Sequence, residues 1–132
     1  MVPVDSSETL SRFILQKNWY GTSDYSVKYA AFMPNPKNGK TSIFRISDIC
    51  DEEIWDIGDR EVSVKRGKPI LGRADVITFV VISSGLTVEP IEPPVRHANI
   101  AGWPDERSKQ KLISLELAAE AQLHLRLTSS KQ

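Results

Sequence analysis

The chain has 132 residues, of which 40% are hydrophobic and 26% charged, enough for the core of one globular domain and too apolar for wholesale disorder. Lys plus Arg and Asp plus Glu number 17 each, so net charge exerts no general pull toward nucleic acid or an anionic bilayer, and neither is expected as a partner. The lone cysteine, Cys50, excludes an internal disulfide and fits a reducing, cytoplasmic location, and no apolar run approaches the ~20 residues of a membrane span.

Residues 1–9 (MVPVDSSET) are polar, lack an apolar signal core and read as a loose tail. Leu10 to Trp19 reads as a strand, with Phe13, Leu15 and Trp19 on one side and Arg12, Ile14 and Gln16 on the other. The cluster Tyr20-Gly21-Thr22-Ser23-Asp24 is a turn. Tyr25 to Met33 alternates Tyr25, Val27, Tyr29 and Ala31 with Ser26, Lys28, Ala30 and Phe32, the pattern of a second strand. A long hairpin tip ending in Asn38-Gly39 then leads to a third strand, Thr41 to Ile46.

Ser47 or Asp48 is expected to cap a helix over 49–57 that Gly58 ends. Asp51, Glu52 and Glu53 suit its first turn, and Ile49, Cys50, Ile54 and Ile57 form its inner stripe. Arg60 to Lys65 alternates like a short edge strand, and Lys65, Arg66 and Lys68 make a small basic loop. Ala74 to Ser84 is expected as a buried helix, with a strand as the alternative because of its β-branched content. Leu86 to Ile91 is a strand. Asp105 to Leu127 is expected as one helix with two apolar stripes. The first is Leu112, Leu115, Ala119 and Leu123; the second is Ile113, Leu117, Ala121 and Leu125. Together they are wider than one sheet face needs, which leaves two readings: a second chain covers the helix, or the short helices of the same chain do. Residues 128–132 are expected as a loose tail.

The densest chemistry lies in Glu89 to Trp103, EPIEPPVRHANIAGW. Pro90, Pro93 and Pro94 fix φ and remove donors, so the segment is expected to be stiff, extended and braced by the last helix. It presents Arg96, His97, Asn99 and Trp103 in order. Arg96 suits an anion, His97 an acid–base role, and Asn99 the orientation of a ligand or an oxyanion. A purely structural loop is the competing reading: Trp103 plugs the core and His97 bonds a backbone carbonyl. Cys50, His97 and His124 are too few and too scattered for zinc. Phosphate-loop, dinucleotide-loop and serine-elbow motifs are absent from the sequence, and no metal or cofactor is expected.

The expected architecture is a single α+β domain spanning 1–132. It has an antiparallel sheet of three to five strands, a long C-terminal helix on one face and one or two shorter helices. The expected function is a small cytosolic interaction or accessory protein without catalysis, a homodimer or bound to a partner protein. The alternative is a small enzyme or ligand binder with a pocket around Arg96, His97 and Asn99.

Overall fold

The structure, a computed structural model, describes residues 2–126. The fold is α+β. Among the described residues six strands form one antiparallel sheet: β1 (Thr9–Ile14), β2 (Thr41–Arg45), β3 (Gly72–Ile77), β4 (Thr87–Pro90), β5 (His97–Ala101) and β6 (Gln122–Leu125). Their order is β4-β5-β2-β1-β3-β6, one strand beyond the expected three to five. Side chains alternate across a sheet, so the register sorts them into two faces. Leu10, Ile14, Ile43, Ala74, Val76, Ala98 and Ile100 point to one core. Helices α3 (Thr78–Ser83) and α4 (Arg107–Glu120) pack on that face, with Leu117 and Ala118 reaching the core. Phe13 and Phe44 point to the other face, where α1 (Asp51–Ile57) supplies Ile54 and Ile57.

Several expected elements are redirected, each for a visible reason. The first strand ends at Ile14, and Lys17–Trp19 is a 3-10 turn. Tyr25 to Met33 is not a strand. β1 is already flanked by β2 and β3, so no ladder position remains for it. The segment keeps only an isolated bridge, Tyr20↔Val27, and a 3-10 turn over Tyr29–Ala31. It serves as a plug, with Val27, Ala31 and Phe32 buried under α4. Arg60 to Lys65 is helical, because Gly58 does not stop α1. Gly58 keeps right-handed helical dihedrals, and an added Cβ would meet the Phe13 ring at 2.8 Å. Glycine therefore lets the helix pass close over the sheet, and it runs on through a wide π segment (Gly58–Ser63) into α2 (Val64–Arg66). Cys50 sits at the N-cap of α1 and is exposed, outside the inner stripe.

Residues 74–84 divide between the two expectations: the strand β3 carries the buried Ala74 and Val76, then α3 begins at Thr78, and it is not the buried helix expected, since Phe79 and Ile82 are exposed. The last helix starts at Arg107 and ends at Glu120. Ala121 is extended, and Leu123 and Leu125 join the open edge of β3 as β6. That edge offered unpaired backbone groups, which a two-residue apolar alternation satisfies as well as a helix does. Leu127 and residues 128–132 lie outside the described residues.

The N-terminal segment is tied down as well. Arg45 donates to Glu8 at 2.8 Å from Nε and 2.7 Å from Nη2, and to the Val2 and Pro3 carbonyls. The Arg45 hydrogen bonds hold the Glu8 carboxyl below its usual pKa of 4.5. A carboxylate with a lowered folded pKa stabilises the fold above its unfolded pKa and loses that contribution as pH falls through the folded value. Glu8→Gln is therefore expected to cost on the order of 1 kcal/mol at pH 7 and almost nothing near pH 2, read as the difference in urea midpoints between the two proteins.

Candidate functional site

The proline stretch is pinned by strands rather than by the last helix. β5 pairs with β2 and β4, placing Phe44 opposite His97, Ser42 opposite Asn99 and Glu89 opposite Asn99. His97 and Asn99 are two residues apart and share the face that carries Phe13 and Phe44. Arg96 has φ of 70°, in the left-handed region, and its Nη1 donates to the Arg45 carbonyl. It opens onto a different cavity, beside Glu8, Asp48 and Glu92. Trp103 packs against the main core and donates from Nε1 to the Ile100 carbonyl. Of the four residues singled out in the sequence, His97 and Asn99 come together, while Arg96 and Trp103 point elsewhere.

His97 is held at both nitrogens. Nδ1 lies 3.0 Å from the Ile91 carbonyl and Nε2 lies 2.8 Å from the Ser42 hydroxyl. The carbonyl accepts only, so Nδ1 carries the proton, and Nε2 accepts the Ser42 hydroxyl proton. The chain Ser42–His97–carbonyl has the outline of a nucleophile, a base and an orienting group. Its third member is a neutral carbonyl, which orients the ring without supplying the negative charge that a carboxylate gives the imidazolium in a hydrolytic triad.

The residue that organises the neighbourhood is Arg12. β1 and β2 pair only at Leu10↔Arg45 and Ser11↔Phe44. Beyond that point the guanidinium bonds across the two strands, with Nη1 donating to the Ser42 carbonyl at 3.0 Å and Nε to the Ala31 carbonyl at 2.9 Å. It stacks over Trp19 at 4.9 Å. Burial, and then the Arg66 charge, pull the Arg12 pKa down to about 10. Arg66 reaches the same place because α1 continues into α2 instead of ending at Gly58.

Two cavities meet here, of about 220 and 380 Å³, and both are lined by Arg12, Ser42 and Arg66. The smaller one has a floor of Phe13, Leu15, Phe44, Val62 and Pro94, with His97 and Lys65 at its sides. The larger one adds Trp19, Asn99, Lys40 and Arg107. Glu61 also lines the smaller one, but it is paired with Lys65 at 3.2 Å and with Arg60 at 3.3 Å. Lys40 is paired with Glu89. Arg12, Arg66 and Arg107 make no ion pair among the described residues. The result is a cationic cleft with an apolar floor on one side, in a chain of zero net charge. Composition hid it, because it is made by residues far apart in the sequence.

No family model, no curated protein and no solved structure matches this chain. Among the described residues no helix is long and apolar enough to cross a membrane.

Proposed function

We propose that the protein binds a small organic anion, one with a phosphoryl or carboxylate head and an apolar body, and performs no chemistry on it. One observation carries this reading: two guanidiniums, Arg12 and Arg66, line one cleft, and among the described residues no carboxylate forms an ion pair with either. Like charges gathered without a counter-ion repel and are costly to desolvate, and an anion between them relieves both penalties. Arginine's planar fork suits two-point recognition of a phosphoryl or carboxylate group. The Asn99 amide offers donors on the sheet side, while His97 and Ser42, already bonded to each other and to the Ile91 carbonyl, form a fixed wall, and Phe13, Phe44 and Val62 cover the body. The neutral Ile91 carbonyl behind His97, in place of a carboxylate, favours recognition over hydrolytic chemistry. The ligand-binding alternative drawn from the sequence is thus kept, with Arg12 and Arg66 in the place first given to Arg96.

Calorimetry with phenyl phosphate tests the reading. Binding is expected, weakened at least tenfold in Arg66→Ala, whose side chain is exposed and not needed for folding. Benzyl alcohol, which lacks the charge, is expected not to bind, and Lys37→Ala, on the hairpin tip outside the cleft, is expected to bind as wild type does. Absence of binding by phenyl phosphate, or equal binding by Arg66→Ala, would overturn it.

A further inference from the structure

We infer that the outward face of α4 is an interface for a second copy of this chain, with the two α4 helices antiparallel. The inward face is settled: Ser114, Leu117 and Ala118 are buried against the sheet. The other stripe is left open, with Leu112 at 64% and Leu115 at 45% exposure. Ala119 continues the stripe, and α3, which touches α4, exposes Phe79 (62%) and Ile82 (48%) as well. Exposed apolar residues on two touching helices mark a contact site.

The charges say what covers it. Arg107, Lys109 and Lys111 lie in the N-terminal half of α4, and Glu116 and Glu120 in the C-terminal half. The first turn has no acidic residue and the last turn no basic one. Within the chain Lys109 pairs with Glu106 at the N-cap, at 3.2 Å and with both side chains exposed, while the rest of this order opposes the helix dipole. It does favour a copy of itself running the other way. Place a two-fold axis midway between Leu112 and Leu115. Leu112 of each copy then meets Leu115 of the other. Around the helix Lys109, Glu116 and Glu120 fall within about 40° of one another, on one flank of the leucine stripe. The same axis brings Lys109 level with position 118 of the second copy, which is about 3 Å along the axis from each of Glu116 and Glu120. Each lysine therefore sits between two glutamates of the other helix, and the arrangement repeats by symmetry, as an isologous interface requires. An unrelated partner would not need positive and negative residues placed about the same centre as the leucines.

Sedimentation equilibrium of the full chain tests this. Wild type is expected to dimerise. Leu115→Glu is expected to weaken the dimer at least tenfold while leaving circular dichroism unchanged, because the side chain is outside the core. Lys109→Glu is expected to weaken it too, and Lys109→Glu combined with Glu116→Lys and Glu120→Lys to restore it. A wild-type monomer at about 100 µM, a dimer indifferent to Leu115→Glu, or failure of the charge exchange to restore association would each overturn the proposal.

Discussion

Replacing Arg73 with methionine is expected to destabilise the fold by about 3–5 kcal/mol, the cost of stranding a buried charge. Arg73 is 3% exposed and Asp75 is 9% exposed. Arg73 Nε donates to Asp75 at 3.1 Å, Nη2 donates to Asp51 at 3.0 Å, and the guanidinium lies 4.8 Å from the Trp55 ring. Among the described residues Asp75 Oδ1 has no hydrogen-bond partner, nor has the hydroxyl of Ser11 across the ladder, and His124 stands 3.4 Å from Oδ2. Methionine keeps much of the packing volume and removes the counter-charge. Asp75→Asn in the same chain is expected to recover most of the loss, because the stranded group is then neutral. Urea unfolding of the two single variants and the double variant reads this directly. A loss within ~0.5 kcal/mol, as for an ordinary surface position, would contradict it. The pair also bears on the cleft. Asp51 begins α1, and α1 leads into α2 and Arg66, so loosening this anchor is expected to weaken anion binding without touching the cleft.

Phe32→Ala is expected to cost a comparable ~3–5 kcal/mol. Phe32 is fully buried among the residues of the main core, and its carbonyl accepts from the Thr41 hydroxyl at 2.8 Å. In a domain worth about 5–15 kcal/mol that is a large share of the stability. Tyr25→Ala is expected to change stability by no more than ~0.5 kcal/mol, since Tyr25 is 66% exposed at the far end of the same segment. The contrast separates a plug from a strand. On a strand, Tyr25 belongs with the inward set of Val27, Tyr29 and Ala31, and Phe32 with the outward one. Thermal melts of the two variants decide between them.

What the sequence made legible follows from range. The turn chemistry around Asn38-Gly39, the third strand and the body of α1 rest on local signals, and they are where expected. The helix α4 was legible in its interior but not at its end. Leu123 and Leu125 fit a helical stripe and a strand alternation equally, and only the vacant edge of β3 chooses. Gly58 carries the usual mark of a helix stop, yet its role is to clear Phe13, a neighbour that local reading does not see.

The site divides in the same way. His97 and Asn99 stood out as unusual residues on a braced segment, and they do share a face. Arg96 drew equal attention, but it adopts a left-handed backbone and its side chain lies outside the cleft. Arg12 looked like an ordinary outward residue of an alternating strand. Its importance comes from bonding across β1 and β2 where their pairing stops, a tertiary event with no local signature. Arg66 was visible as part of a basic loop, but its approach to Arg12 depends on α1 continuing past Gly58.

The most direct measurement is a heteronuclear NMR titration that follows the Nε–Hε signal of Arg12 as phenyl phosphate is added. The account predicts a saturable shift of that signal together with the backbone amides of Arg66, His97 and Asn99, all fitting one dissociation constant. Shifts confined to Lys37 on the hairpin tip, with Arg12 unmoved at saturation, would contradict it.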